Sequence, residues 1–250
     1  MKKIMALALA ALMLFAMFGC VSKGGEDINK KSEGVMTYAQ YTAAAKDEKV
    51  VIEAYIQAKQ GWWENKATIY LADGDGAYFS YDTPCSEEDY NNIFTTGTKV
   101  RIEGTKAEWS GEIEIVDGVM TAVEGAGKYI AKATDVTAIL GNNDELIKKM
   151  NQLVAFKGMT VEASKDADGN DAAFLYKDNG SGSEGDDLYF KVSKDGNTYT
   201  FTVESYLCGK DTDVYKAVQA LKIGDKIDLE GFAYWYNGLN PHITSVTASK

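Results

Sequence analysis

The sequence is poor in the residues that most catalytic sites require. Its 250 residues include one histidine, two prolines and three cysteines. A lone histidine such as His242, which lies in a predicted strand, is more often a packed or surface residue than a catalyst. No Ser/His/Asp order, Walker-type loop or dinucleotide fingerprint is present. Because catalysis needs several convergent groups in defined roles, we expect no enzyme and no cofactor.

Positive charge is scarce as well. The chain has 26 lysines and arginines against 37 aspartates and glutamates, which gives a net charge of −11. Affinity for nucleic acid comes largely from basic side chains that contact phosphates and release counterions. The charge balance therefore predicts a protein that does not bind nucleic acid.

The one long apolar run lies at the N-terminus and is too short to span a bilayer. It extends from Ile4 to Phe18, about 15 residues, whereas a transmembrane helix needs roughly 20. Lys2 and Lys3 precede it, Gly19 and Cys20 follow it, and the chain then becomes polar. This order of charge, apolar core and small residue is typical of a secretory signal.

A cysteine after a small residue at the end of such a run resembles the lipobox of bacterial lipoproteins. The resemblance implies that residues 1–19 are a signal peptide and that Cys20 carries the lipid, of the palmitate type. It also implies an extracytoplasmic protein in the cell envelope, anchored to a bacterial membrane. Residues 20–35, in which glycines lie among charges, are expected to be a flexible tether.

The body of the chain contains an internal repeat, which determines the fold to be expected. Residues 97–104 (GTKVRIEG) align with residues 224–231 (GDKIDLEG), and at the same offset Trp109 aligns with Tyr236. Upstream, Cys85 and Cys208 each precede a short helical stretch. The repeat predicts two domains of the same architecture.

Each copy reads as a helix, three strands, a short helix and two strands. In the first copy the strands are expected near 49–59, 66–72, 76–82, 98–107 and 112–123. This is the order of the OB barrel, a partly open Greek-key barrel. Tandem copies with this signature resemble the tRNA-anti-like OB-fold lipoproteins of bacteria. The resemblance implies an all-β protein with short helices and two tandem OB-like five-stranded barrels; it does not imply tRNA binding.

The repeat also sets the expected domain bounds. The first OB-like domain covers residues 36–126, a linker covers 127–141, and the second domain covers 142–250. The second copy contains an inserted loop, 165–187, that is rich in glycine and aspartate. Within it, residues 166–171 (DADGND) resemble part of a calcium loop, and they equally suit an ordinary turn. We expect no metal site.

The two thiols of the body are expected to be unpaired and buried. They occupy equivalent places in two barrels, and bridged cysteines need Cα atoms within about 7 Å of one another. A free cysteine behaves as a small hydrophobic residue.

Aromatic residues are the best candidates for a binding site. They are expected in the loops that flank the ligand-binding face of an OB barrel. The candidates are Trp62, Trp63, Trp109, Trp235 and Tyr236. Alternatively, one ring of each pair plugs a barrel end and the others pack between the barrels.

The sequence thus predicts a binding module for a non-nucleic ligand such as a glycan, a peptide or another envelope protein. The alternative is a structural or protein–protein assembly role without a small-ligand site. The sequence does not indicate an oligomeric state.

Overall fold

The computed structural model describes residues 27–249. The predicted signal peptide 1–19, the predicted lipid site Cys20 and the start of the predicted tether lie outside the described residues. Within residues 27–249, no helix is both long and apolar enough to cross a bilayer.

The first copy of the repeat forms barrel one, a closed ring of five strands in the order β1-β2-β3-β5-β4. A short helix follows the third strand, as expected of an OB fold. Its strands are Lys49–Lys59 (β1), Lys66–Ala72 (β2), Ala77–Pro84 (β3), Lys99–Trp109 (β4) and Glu112–Ala122 (β5), and its helices are Tyr38–Ala43 (α1) and Glu87–Asn92 (α2).

The second copy forms barrel two, which carries more short strands. Its elements are the strands Thr134–Asp135 (β6), Leu153–Glu162 (β7), Ser164–Lys165 (β8), Asp171–Ala172 (β9), Leu175–Tyr176 (β10), Leu188–Lys194 (β11), Asn197–Val203 (β12), Lys226–Phe232 (β13) and His242–Ala248 (β14), the helices Asn143–Leu146 (α3) and Asp213–Gln219 (α4), and the 3-10 turns Thr137–Ile139 and Ile147–Lys149. Strand β7 pairs with both β11 and β13, which closes the five-stranded ring β7-β11-β12-β14-β13. The predicted fold class, two tandem OB-like barrels, is confirmed.

Alternation of apolar and polar residues places the two cores. In β1, Val50, Ile52 and Ala54 are buried, and Ile52 lies opposite the buried Ile102 of β4. Barrel two has an equivalent core around Phe156 and Phe201, whose ring centroids are 4.6 Å apart. Buried aliphatic and aromatic residues on one face of each strand are what close these barrels.

Side chains cap the short helices. Thr37 and Gln40 form a capping box at the start of α1, because each side chain bonds the other residue's backbone N–H. The Asn142 side chain accepts a bond from the Glu145 N–H at the start of α3. Helix α4 begins after Thr212 in the same way.

Residues at the end of the predicted tether and in the predicted linker contact barrel one. Lys31 lies 2.5 Å from Asp73, and the Lys99 ammonium donates to the Lys30 carbonyl over 2.5 Å. In the linker, Tyr129 packs against Tyr55 of β1, with ring centroids 5.4 Å apart. The Lys31 ammonium is thus a cationic partner for the Asp73 carboxylate, whose burial without a partner would be costly.

The two barrels are joined by an extensive contact. Tyr70 of β2 stacks on Phe232 of β13, with ring centroids 4.2 Å apart. The buried Glu112 of β5 accepts hydrogen bonds from the Asn151 side chain (2.5 Å) and from the Trp235 backbone N–H (2.9 Å). This contact fixes the shape of the cleft that opens beside it.

Candidate functional site: a cleft between the barrels

A cavity with a volume of about 990 Å³ lies between the two barrels. Barrel one contributes the β1–β2 turn, parts of β2 and β3, and the end of β4. Barrel two contributes part of the predicted inserted loop, the segment after β12 and the β13–β14 loop. A cavity of this size between two domains is where ligands commonly bind.

Five exposed aromatic rings line this cleft, which we call the aromatic cleft. Trp63, Trp109 and Tyr206 are exposed by 68%, 61% and 72%, and Tyr81 and Tyr236 are about half exposed. Single exposed apolar residues are common on protein surfaces, but a contiguous group in a concavity marks an interaction site.

Tight turns present the two tryptophans. Trp63 precedes Glu64 and Asn65, which both adopt left-handed backbone conformations, and its backbone pairs with that of Lys66 across the turn. Trp109 ends β4, where Ser110 and a glycine turn the chain. Short turns between strands therefore place both tryptophans in the lining of the cleft.

The electrostatics of the cleft are negative. Its acidic side chains outnumber its lysines, and both lysines are ion-paired: Lys66 lies 2.7 Å from Asp82, and Lys177 lies 3.6 Å from Asp186. The acidic side chains of the cleft are Glu64, Asp82, Asp178, Asp187 and Glu204. Both lysines of the cleft therefore have part of their charge balanced by a neighbouring carboxylate.

The cleft wall includes one buried, uncharged histidine. His242 is stacked on Tyr234 with ring centroids 4.4 Å apart, and burial lowers the pKa of its imidazole from 6.5 to about 3. Burial, reinforced by the nearby Asp187, raises the pKa of Glu204 to about 7. Glu204 accepts bonds from the Leu207 N–H and the Gln60 side chain, so its role is to hold the loop that presents Tyr206.

The structure brings together some of the predicted site residues. Trp63, Trp109 and Tyr236 lie in the aromatic cleft. Trp62 is half-buried, and its indole N–H donates to the Cys85 carbonyl over 3.0 Å. Trp235 is 7% exposed and belongs to the core of barrel two, so neither ring lines the cleft.

Sequence reasoning missed Tyr81 and Tyr206. Tyr81 lies on a predicted strand, where any outward position is a candidate. Tyr206 lies in a segment that the repeat aligns with residues near Cys85. The arrangement of the barrels alone reveals both rings.

The two thiols are free, but they differ in exposure. Cys208 is buried as predicted, and burial raises its pKa to about 11. Cys85 is only half-buried, so the prediction of burial is wrong there. It lies between β3 and the exposed helix α2, which offers little cover.

The loop 166–171 folds as a turn around its first aspartate. The Asp166 side chain accepts hydrogen bonds from the backbone N–H groups of Asp168 (3.0 Å) and Asn170 (2.8 Å). Within residues 27–249, no group of three or more acidic, histidine or cysteine side chains is arranged to hold a metal ion. Turn chemistry accounts for this loop.

No protein-family profile matches the chain, and no curated protein matches it in sequence. Solved structures do resemble it. An aspartyl tRNA synthetase from Entamoeba histolytica is 16% identical with a TM-score of 0.32, over 58% of this chain and 35% of that chain. A Replication Protein A heterotrimer bound to ssDNA is 11% identical with a TM-score of 0.32, over 81% and 49%. A murine DNA binding protein bound with dsDNA is 12% identical with a TM-score of 0.33, over 81% and 99%.

The chain thus spans less than half the length of the first two of these proteins. Several of the similar structures are complexes with DNA. Two predictions are corrected accordingly: that the protein does not bind nucleic acid, and that its ligand is non-nucleic. The net charge was not sufficient to exclude nucleic acid, because the argument from charge concerns only contacts with phosphates. Stacking of bases on aromatic rings does not depend on net charge.

Proposed function

We propose that the aromatic cleft binds single-stranded nucleic acid through its bases. The observation that carries the proposal is the convergence of five exposed aromatic rings from both barrels in one cavity. Base–aromatic stacking contributes about 1–3 kcal/mol per base and tolerates any sequence, because every base has a flat π face. Two or three stacked bases would supply useful affinity without any phosphate contact.

The charges of the cleft determine the orientation of a bound strand. Phosphates are repelled by the surplus of carboxylates and find no unpaired lysine in the cleft. The bases therefore face inward and the backbone faces solvent. Carboxylates accept hydrogen bonds from the amino groups of cytosine, so Glu64 and Asp178 offer polar partners to bases that the rings hold.

The test compares two strands of equal length and charge. A deoxycytidine oligonucleotide of about ten nucleotides, a length within the range that OB folds cover, is titrated while tryptophan fluorescence is recorded. An abasic oligonucleotide of the same length is the control. We expect saturable quenching by the first strand only. Equal binding of both strands, or binding of neither, overturns the proposal.

We further infer that the mature protein is a lipoprotein anchored through Cys20 on the extracytoplasmic side of a bacterial membrane. The support is the order of Lys2-Lys3, the apolar run and Gly19-Cys20 at the N-terminus. Mass spectrometry of the N-terminal peptide is expected to show an acylated cysteine, and Cys20→Ala is expected to abolish the modification. An unmodified Cys20 in the membrane fraction contradicts this inference.

A further inference from the structure

The single histidine of the chain leaves one ring nitrogen unused at the wall of the aromatic cleft. His242 lines this cleft and is 6% exposed. Its Nδ1 bonds to the Tyr70 hydroxyl, whereas its Nε2 has no hydrogen-bond partner among the described residues. Within residues 27–249, the fully buried polar side-chain atoms that lack a partner belong to Tyr41 and Asn151 instead. Nε2 therefore keeps some contact with solvent, and His242 meets solvent in the cleft that it lines.

The buried tyrosine determines which nitrogen of His242 carries the proton. The ring is neutral, because burial lowers its pKa to about 3. Tyr70 is completely buried, and its hydroxyl bonds to His242 alone. If Nδ1 were the donor, the hydroxyl proton would be buried without an acceptor, which is costly. The hydroxyl thus donates to Nδ1, and the imidazole proton lies on Nε2, where it is an uncharged donor at the cleft.

Asn240 adds a second uncharged donor. It lines the same cleft, and its Oδ1 accepts a hydrogen bond from the Thr202 hydroxyl over 3.0 Å. Its Nδ2 bonds to none of the described residues, so both N–H groups of the amide remain available. Asn240 and His242 are two residues apart, which keeps their Cα atoms within about 7 Å of one another. We call these two residues the donor pair.

The donor pair requires an uncharged acceptor as its partner. An N–H group repels a cation, and an anion is disfavoured because acidic side chains outnumber lysines in the same cleft. The carbonyl oxygens and ring nitrogens of nucleic-acid bases are uncharged acceptors. Cytosine carries O2 beside N3 and guanine carries O6 beside N7, so each offers two adjacent acceptors, whereas adenine has an amino group beside N7.

We propose that the donor pair makes the aromatic cleft selective for cytosine and guanine over adenine. This inference rests on the proposed binding of bases in the cleft and adds the groups that discriminate among them. Stacking alone predicts the opposite order for cytosine and adenine, because the larger purine covers more of an aromatic ring. The order of the two affinities therefore separates hydrogen bonding from stacking.

The experiment uses nucleosides, which carry no phosphate, and the full chain. Because the chain has one histidine, its imidazole signals in a proton–nitrogen NMR spectrum need no assignment. Without ligand, we expect the proton on Nε2 at neutral pH, and a proton on Nδ1 overturns the proposal. Deoxycytidine is expected to shift the Nε2 signal saturably at millimolar concentration and to bind at least about fivefold more tightly than deoxyadenosine. Equal affinities, tighter binding of deoxyadenosine or an unchanged Nε2 signal also overturn it.

A matched pair of variants tests the second donor. Asn240→Asp keeps an oxygen for the Thr202 hydroxyl but loses the Nδ2 donor. Asn237→Asp adds the same charge to the same β13–β14 loop at a residue outside the cleft lining. We expect Asn240→Asp to lose the preference for deoxycytidine and Asn237→Asp to keep it. A preference that persists in Asn240→Asp contradicts the proposal.

The strand titration described above distinguishes failure of this inference from failure of the proposed function. Quenching by the deoxycytidine strand with no change at Nε2 supports stacking and overturns the role of the donor pair. A shift of Nε2 by the nucleoside with no binding of the strand supports the donor pair and overturns the proposed function.

Discussion

The Tyr70 hydroxyl of barrel one and Nδ1 of His242 in barrel two lie 2.9 Å apart and form a buried hydrogen bond between the barrels. The low pKa of His242 keeps its imidazole neutral, so the ring can accept or donate this bond without carrying a charge. Of the two residues, His242 also lines the aromatic cleft.

Removing the hydroxyl in Tyr70→Phe is expected to lower the free energy of unfolding by about 1–3 kcal/mol, because it leaves a buried imidazole nitrogen without a partner. Urea unfolding monitored by circular dichroism measures the change. Tyr236→Phe, at an exposed ring of the cleft, is the control and is expected to stay within about 0.5 kcal/mol of the parent. Equal stability of Tyr70→Phe and the parent would show that the bond contributes nothing.

Glu112 makes stability depend on pH. Burial raises its pKa in the folded chain from 4.5 to about 8, against the lowering effect of the bonds from Asn151 and Trp235. The stabilisation linked to its protonation is therefore fully present below pH 4.5 and is lost as pH rises through 8. Between about pH 5.5 and about pH 7 we expect the loss to approach about 1.4 kcal/mol per pH unit.

Glu112→Gln is expected to remove most of this slope, since glutamine keeps a similar shape but does not titrate. Unfolding free energies at several pH values measure it. Glu108→Gln, at an exposed carboxyl on the neighbouring strand, should leave the slope unchanged. A slope that persists in Glu112→Gln would place its origin elsewhere.

The two thiols should react at very different rates. A disulfide reagent at pH 8 is expected to label the half-buried Cys85 first and to reach Cys208 only after unfolding, because Cys208 is buried and its pKa is raised to about 11. Measured reaction rates of Cys85→Ser and Cys208→Ser assign the phases. Fast labelling of Cys208 in the native protein would be inconsistent with the described core.

Salt dependence separates stacking from phosphate binding. Proteins that neutralise many phosphates lose affinity steeply as salt rises, with a slope of about −0.7 per phosphate for single strands. Since both cleft lysines are ion-paired, we expect affinity for the deoxycytidine strand to change little, or to rise, between low and high salt. A steep fall would point to a basic surface elsewhere on the chain.

Much of the fold could be predicted from the sequence. The cluster of Val and Ile residues around Ile52 places β1, and the copied segments at 97–104 and 224–231 place the fourth strand of each ring. The contact between the predicted tether and barrel one could not be predicted, because the sequence does not show that the buried carboxylate of Asp73 pairs with Lys31. That pairing depends on the closed barrel.

The site could be predicted only in part. Trp62 and Trp63 are adjacent, as are Trp235 and Tyr236, and one member of each pair packs inward while the other faces the cleft. Neighbouring residues in extended chain point in opposite directions, so the sequence shows the pair but not which ring is exposed. Tyr206 enters the site only because barrel two packs against barrel one.

The affinity of Trp63→Ala/Trp109→Ala for the deoxycytidine strand tests the central claim most directly. Both rings are mostly exposed, so we expect the melting temperature to stay unchanged while each lost stacking contact costs about 1–3 kcal/mol of binding. Val119→Ala/Ile130→Ala, at exposed residues outside the cleft, is the matched control and should bind like the parent. Affinity of the tryptophan variant equal to that of the parent would contradict the account.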